Sequence, residues 1–434
     1  MDVLILSFMF PPANVIGAVR VGKMANELVR LGHTVRVVCA AAPPCSADLA
    51  IATLPETHIV RTRWLDIAFP MTLMQRLRAH GGTLSQQLAA QPRSTPLRAV
   101  FERLLWCYRL VFSVPDDALG WLPFAVRAAE QAIAARRPDL IYASGGPFTA
   151  LIAAAVVHQR SGVPWVAELR DLWADNHYYP YPLARRAVDA AIERQTLRSA
   201  ATLVTVSDPL AQTLRDRYPM PVAVITNGFD PADYPGPRTI VDDDILRLVY
   251  TGTIYPGRQD AGPLFAALAT LGPAAERVRV IAYGYGTQAL LASAAAVGLS
   301  HLVELRGHVA HHTALAAQRD ADVLLLLRWN DATDRGVLTG KLFEYLGARR
   351  PIIAPGSVDD AAARLIRARA AGVASSSVAE LTQQVKLWLM QREQGGSIAD
   401  LPLAASAGLT RAAQAAHLAQ IFAETLTRQS AGET

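Results

Sequence analysis

Lys341 and Glu344 stand three residues apart within GVLTGKLFEYLGARRPIIAP, residues 336–355. Thr339-Gly340 reads as a turn and helix N-cap. Leu342, Phe343, Leu346 and Ala348 supply an apolar helix face, and 351–354 a short buried strand. At this spacing the two charged side chains project from neighbouring turns close to the helix start. A helix start presents free backbone N–H groups and partial positive charge, which suit a phosphate, and Lys341 adds a full charge. Glu344 is placed to accept hydrogen bonds from two adjacent hydroxyls, as a ribose offers them. Spacing alone favours a plainer reading, a solvated Lys–Glu helix pair.

Other chemistry-bearing residues fall at the ends of expected strands. Arg170 and Asp171 follow the apolar run 163–168, at the carboxyl end of a parallel strand, where site residues of such sheets gather. Their plainer reading is a surface ion pair beside a buried Trp173 anchor. Gly17 is the glycine available in the first strand–helix loop, so a G-x-G-x-x-G dinucleotide fingerprint is absent. Asp320-Ala321-Asp322 imitates a metal motif but abuts a buried strand, and Asp242-Asp243-Asp244 lies in a Pro/Gly-rich linker without a second ligand cluster. No metal site is expected.

The elements that must position these residues alternate along the chain. Strands are predicted over 3–8, 34–39, 138–144, 163–168, 201–207 and 223–227, then over 246–250, 278–282, 303–305 and 323–327. Helices are predicted over 18–31, 121–136 and 148–159, and a last apolar-striped one over 409–426. Strand, loop, helix, strand is the rhythm of doubly wound parallel sheets. Residues 41–96 carry no readable pattern. From Leu97 a helix is expected whose stripe is Leu97, Val100, Phe101, Leu104, Leu105, Tyr108, Val111 and Phe112, with Arg98, Arg103, Arg109 and Trp106 off it. Such a helix suits either a membrane surface or ordinary packing with a solvated basic face.

These motifs together resemble the GT-B glycosyltransferases of the large retaining group called family 4. The opening resembles that family's start, a Pro-Pro loop with a glycine and an arginine, then Gly32-His33-Thr34-Val35-Arg36-Val37. ELRDLW resembles a subset with R-D-x-W, TNGFD resembles the close of the first domain, and 336–355 resembles the donor helix. The resemblance covers nearly the whole chain outside 41–96. It implies two doubly wound, Rossmann-like domains facing a cleft: 1–236 for the acceptor, 237–405 for the nucleotide sugar, and a helix in 406–434 crossing back. It gives Glu344 the ribose and Asp171, with Arg170, the acceptor chemistry. Gly17, Gly252, Thr253, Arg258, Gly340 and Lys341 then surround the donor. The chain departs from the pattern twice. Gly336 replaces the first of two family glutamates, and Thr253 replaces a family arginine, whereas Arg258 occupies the position of a diphosphate-binding lysine. The expected activity is transfer of a sugar from a nucleotide diphosphate sugar to a hydroxyl of a sugar or lipid-linked acceptor, with retention, without metal or other cofactor, in cell-surface polysaccharide or glycolipid synthesis. A nucleotide-sugar epimerase and a degenerate nucleotide-binding partner are the alternatives.

Composition bounds the reading. With 434 residues, 51% hydrophobic and 18% charged, the chain is globular and long enough for two or three domains. Cys39, Cys45 and Cys107 make neither a metal spacing nor a disulfide framework. No signal peptide and no membrane-spanning run are expected, so the reading is cytoplasmic, peripheral at the inner membrane face. The net charge is +5, yet eight arginines between Arg61 and Arg109 face only Asp66 and Glu102 there. That local excess suits an anionic membrane surface, and the close charge balance of the rest of the chain argues against a nucleic-acid partner.

Overall fold

The computed structural model describes residues 1–45, 51, 54–67, 96–176, 179, 181–234, 236–241, 243–329 and 336–432. It divides into two compact units. One is built from the chain up to Thr226 together with the segment starting at Arg411, the other from Asn227–Thr410.

The first unit carries a seven-stranded parallel sheet. Its strands are β1 (Asp2–Leu6), β2 (Thr34–Ala40), β3 (Ile59–Thr62), β4 (Leu140–Ser144), β5 (Trp165–Leu169), β6 (Thr202–Thr205) and β7 (Val222–Val224), in the order β3-β2-β1-β4-β5-β6-β7. In register, Ile5 lies between Val37 and Tyr142. Successive side chains of a strand point to opposite faces, so one strand feeds two cores. Leu4 and Leu6 pack with the helices Leu122–Ala135 and Thr149–Ser161; Val3 and Ile5 pack with Ile16–Arg30 and Arg411–Ser430. The last helix is thus integral to this unit: Phe422 meets Tyr142 at 5.4 Å between rings, and the Thr425 and Thr202 hydroxyls bond at 2.8 Å.

The second unit repeats the winding with six parallel strands, β8 (Leu246–Thr251), β9 (Val278–Tyr283), β10 (Val303–Gly307), β11 (Val323–Leu325), β12 (Ile352–Pro355) and β13 (Gly372–Ser375), ordered β10-β9-β8-β11-β12-β13. In both sheets the winding reverses beside the first strand, between β1 and β4 and between β8 and β11. Loops at the carboxyl ends of those strands form the ligand-binding edge of such a fold.

The unit boundary falls at Thr226/Asn227, ahead of the expected 236/237. Asn227 Nδ2 donates to Leu338 O at 3.2 Å, Phe229 bridges to Thr410, and its ring occupies the space left by Gly347. Leu401 N likewise donates to Arg349 O at 2.8 Å, so the second unit continues to Thr410.

The helix Pro96–Phe112 forms as expected, but three residues of its apolar stripe are exposed. Leu104, Val111 and Phe112 are 62%, 63% and 57% exposed. Arg109, expected on a solvated basic face, pairs with Asp117. Arg76, Arg78 and Arg93 lie outside the described residues.

Candidate active site: residue clusters at strand carboxyl ends

In the first unit a charge network is buried at the ends of β4 and β5. Arg20 Nη2 meets Glu168 Oε1 at 2.7 Å, with side chains 2% and 0% exposed. Arg20 also donates to Ile225 O and Thr226 O, and Ser144 Oγ donates to Glu168 Oε2 at 2.6 Å. Burial pushes the Glu168 carboxyl up, but the charge and hydrogen bonds of Arg20, with Ser144, hold it below the usual range.

Arg170 lies beside this pair. Its Nε donates to Gly145 O at 2.9 Å and its Nη2 to Gly146 O at 2.6 Å. A Cβ on Gly17 would stand 2.3 Å from Arg170 Nη1, and one on Gly146, at φ +87°, 2.9 Å from Nη2. Gly17 therefore makes room for a guanidinium at the start of Ile16–Arg30. That helix start carries no acidic residue and no side-chain cap among the described residues. The neighbouring start, Thr149–Ser161, is instead occupied by Asp116, which accepts from Thr149 N at 3.0 Å and Thr149 Oγ1 at 2.7 Å. Burial holds Arg170 below the ordinary arginine range. Asp171 is exposed next to it. Trp173 anchors the loop, buried against Phe148 at 4.8 Å in a parallel stack.

In the second unit Lys341 and Glu344 lie on Gly340–Gly347, whose start has no side-chain cap and no acid in its first turn among the described residues. Thr339 takes the N-cap position without a capping bond. Lys341 Nζ donates to Tyr250 OH at 2.8 Å and points at Thr253 O at 3.4 Å. Burial holds this ammonium below the ordinary lysine range. It fits because Gly252 has φ +115° and no side chain; a Cβ there would sit 2.3 Å from Lys341 Cε. Thr253 thus contributes its carbonyl, where the family places an arginine side chain. Glu344 bonds His311 Nε2 at 3.3 Å and Gln318 Nε2 at 3.0 Å. Arg258 is exposed and lies over the Trp329 ring at 4.6 Å, with Tyr255 5.6 Å from that ring. At the ends of β9 and β10, Tyr285 and His308 stack at 4.7 Å, each one residue past a glycine.

The structure therefore brings Gly252, Thr253, Gly340, Lys341 and Glu344 together in one unit, and Gly17, Arg170 and Asp171 in the other. Sequence reading missed Glu168, Ser144, Tyr250, Gln318 and Trp329; their partners lie tens of residues away, so no local spacing announces them. The two Asp motifs are structural. Asp322 binds Arg238 at 2.7 Å and Arg392 at 2.9 Å, and Asp243 binds Arg247 at 2.6 Å. Among the described residues no three His, Cys, Asp or Glu side chains group to hold a metal ion.

Two parallel doubly wound units, each with basic residues and glycines at its strand ends, give the chain the GT-B fold. Residues 17–228 match the glycosyl transferase 4-like domain, so this stretch is similar to family 4-type glycosyltransferases. Solved structures agree over the whole chain. Sucrose-phosphate synthase from Thermosynechococcus elongatus is similar at 14% identity and TM-score 0.61, covering 98% of this chain and 99% of that one. Anabaena HepE in complex with UDP is similar at 17% and 0.59, covering 98% and 100%. WaaG, a glycosyltransferase involved in lipopolysaccharide biosynthesis, is similar at 14% and 0.50, covering 97% and 95%. No curated protein matches by sequence.

Proposed function

We propose that the second unit binds a nucleoside diphosphate sugar and that the first unit presents a hydroxyl acceptor to it. The observation that carries this is Lys341 and Glu344 on the first turns of an uncapped helix, with Gly252 clearing the way for the lysine. The helix start, Lys341 and Arg258 neutralise the leaving diphosphate, and Glu344 takes the ribose hydroxyls. HepE, which has a structure with UDP-glucose, supports a nucleotide sugar as donor. Arg170 and Asp171 hold and orient the acceptor hydroxyl, with Asp171 as its base. Retention follows from the resemblance to the retaining group. Positive groups placed for the diphosphate remove the need for a divalent metal. Nucleotide release from a panel of donor sugars, with and without acceptor, tests the reading. Release that requires an acceptor supports transfer; conversion of the donor without acceptor supports an epimerase, and no nucleotide binding a non-catalytic partner. Loss of activity in EDTA, restored by manganese or magnesium, overturns the metal-free step.

A second observation favours a lipid-linked acceptor at the inner membrane face. Leu104, Val111 and Phe112 form one exposed stripe on Pro96–Phe112, with Trp106 and Arg103 exposed alongside. A few apolar side chains with nearby cations give reversible, salt-sensitive adsorption to anionic bilayers. Among the described residues no helix is long and apolar enough to cross a membrane. The similarity to WaaG supports a role in cell-surface polysaccharide or glycolipid assembly. Co-sedimentation with anionic but not neutral vesicles, lost in a Leu104→Ser, Val111→Ser, Phe112→Ser variant, is the expected result. Equal pelleting with both vesicle types overturns it.

A further inference from the structure

Behind Glu344 lies a side chain that neither charge nor spacing had singled out. Gln318, on the helix His311–Asp320, is 1% exposed. Its Nε2 donates to Thr251 Oγ1 at 2.9 Å and to Glu344 Oε2 at 3.0 Å. The Tyr234 hydroxyl closes the ring from the other side, 3.3 Å from Gln318 Oε1 and 2.8 Å from the Glu344 carbonyl oxygen. A primary amide has two N–H groups and one acceptor oxygen. Here both N–H groups meet oxygen acceptors, and one of these is a carboxylate that the amide oxygen could not face, so the carboxamide has one orientation.

We propose that Gln318 is the positioning residue of the donor site: it fixes the rotamer of the Glu344 carboxylate so that the ribose hydroxyls meet a preset acceptor. The proposal rests on the donor-site reading above. No charged residue serves in its place. A carboxylate would repel Glu344, and an apolar residue would leave a carboxylate oxygen and the Thr251 hydroxyl without their donor. Lys341 reaches Tyr250 instead, and His311, mostly exposed, meets the opposite oxygen of Glu344. Gln318 is therefore the buried, neutral donor that holds the ribose acceptor without cancelling its charge.

The experiment titrates uridine diphosphate and, separately, inorganic pyrophosphate into the unaltered protein, Gln318→Leu and Gln318→Glu. Gln318→Leu is expected to weaken nucleotide binding roughly tenfold or more, the scale of one hydrogen bond to a charged group. Pyrophosphate affinity is expected to stay unchanged, because pyrophosphate meets Lys341 and the helix start but not Glu344. Gln318→Glu provides a pH signature. At pH 8 two facing carboxylates repel and nucleotide binding is weak. As pH falls towards 5, the pair takes up one proton, the new carboxyl donates as the amide did, and affinity recovers relative to the unaltered protein. His311, Lys341 and Tyr234 also face Glu344, so the unaltered protein and Gln318→Leu are titrated at each pH as references. A purely structural Gln318 would give losses that are equal for both ligands and independent of pH. Nucleotide binding that both variants leave unchanged, or a loss shared with pyrophosphate, overturns the proposal alone. No binding of uridine diphosphate or pyrophosphate by the unaltered protein overturns the donor-site reading and this proposal with it.

Discussion

The two units share a strand order and differ in how they place charge at the strand ends. The first buries an ion pair, Arg20–Glu168, and sets Arg170 beside it on two backbone carbonyls. The second keeps its cation, Lys341, on a phenol hydroxyl, and holds its acid, Glu344, with a neutral amide. A buried ion pair is strongly coupled to folding, because removing one partner strands the other in a low-dielectric interior. Lys341 on a hydroxyl and Glu344 on an amide and the exposed His311 are not committed to a buried ion pair of that kind. The first arrangement builds a platform; under the proposed function the second is a receptor.

The comparison breaks most sharply at Glu168. Glu168→Ala should destabilise the first unit by about 3–5 kcal/mol, leaving Arg20 buried without its carboxylate. Thermal or urea unfolding followed on that unit checks it; a change within ~0.5 kcal/mol would dissolve the contrast. Next in size, Lys341→Met should leave unfolding nearly unaltered and weaken nucleoside diphosphate binding by about 1.5–3 kcal/mol, roughly tenfold to a hundredfold. Glu344→Ala should behave likewise, and so should Arg258→Ala if its guanidinium leaves Trp329 for the diphosphate. Calorimetric titration reads all three. Unchanged affinity in Glu344→Ala and Arg258→Ala would remove the receptor.

Glycine substitutions sharpen the contrast at a smaller scale. Gly252→Ala adds the left-handed backbone penalty, about 1–2 kcal/mol, and displaces Lys341, so stability and donor affinity should fall together. Gly17→Ala lies in a helix, where alanine is favoured, and the nearest atoms its Cβ displaces are those of the Arg170 guanidinium. It should reduce transfer while leaving nucleotide affinity intact; steady-state kinetics beside titration separates the two. The smallest effect is in pH. Glu168 is held below the usual glutamate value of 4.5, so its stabilisation is present above that value and is lost as pH falls through the folded-state value. The first unit should therefore lose stability in acid, and Glu168→Gln, weaker at neutral pH, should show a shallower acid slope.

Much of this architecture was legible in the residues. Strands such as 246–250 and 278–282 came within a residue or two of their observed limits, because apolar runs between turn residues are a local signal. β3 was not legible, since it is a short edge strand after a stretch without pattern. Lys341 and Glu344 were visible because one helix carries both. The helix Pro96–Phe112 shows where local reading ends. Periodicity identified its apolar stripe but not that Leu104, Val111 and Phe112 stand exposed among the described residues.

The sequence by itself determined two α/β units, their winding and the basic helix start of the second, since each depends on periodicity, turn residues and charge within one segment. Tertiary structure alone decided the pairs that make those residues a site: Arg20 with Glu168, Gly17 with Arg170, Gly252 with Lys341 and Gln318 with Glu344. The partners lie on separate elements. Only packing brings them within hydrogen-bond reach or requires a missing Cβ, and neither condition leaves a trace in the spacing of nearby residues.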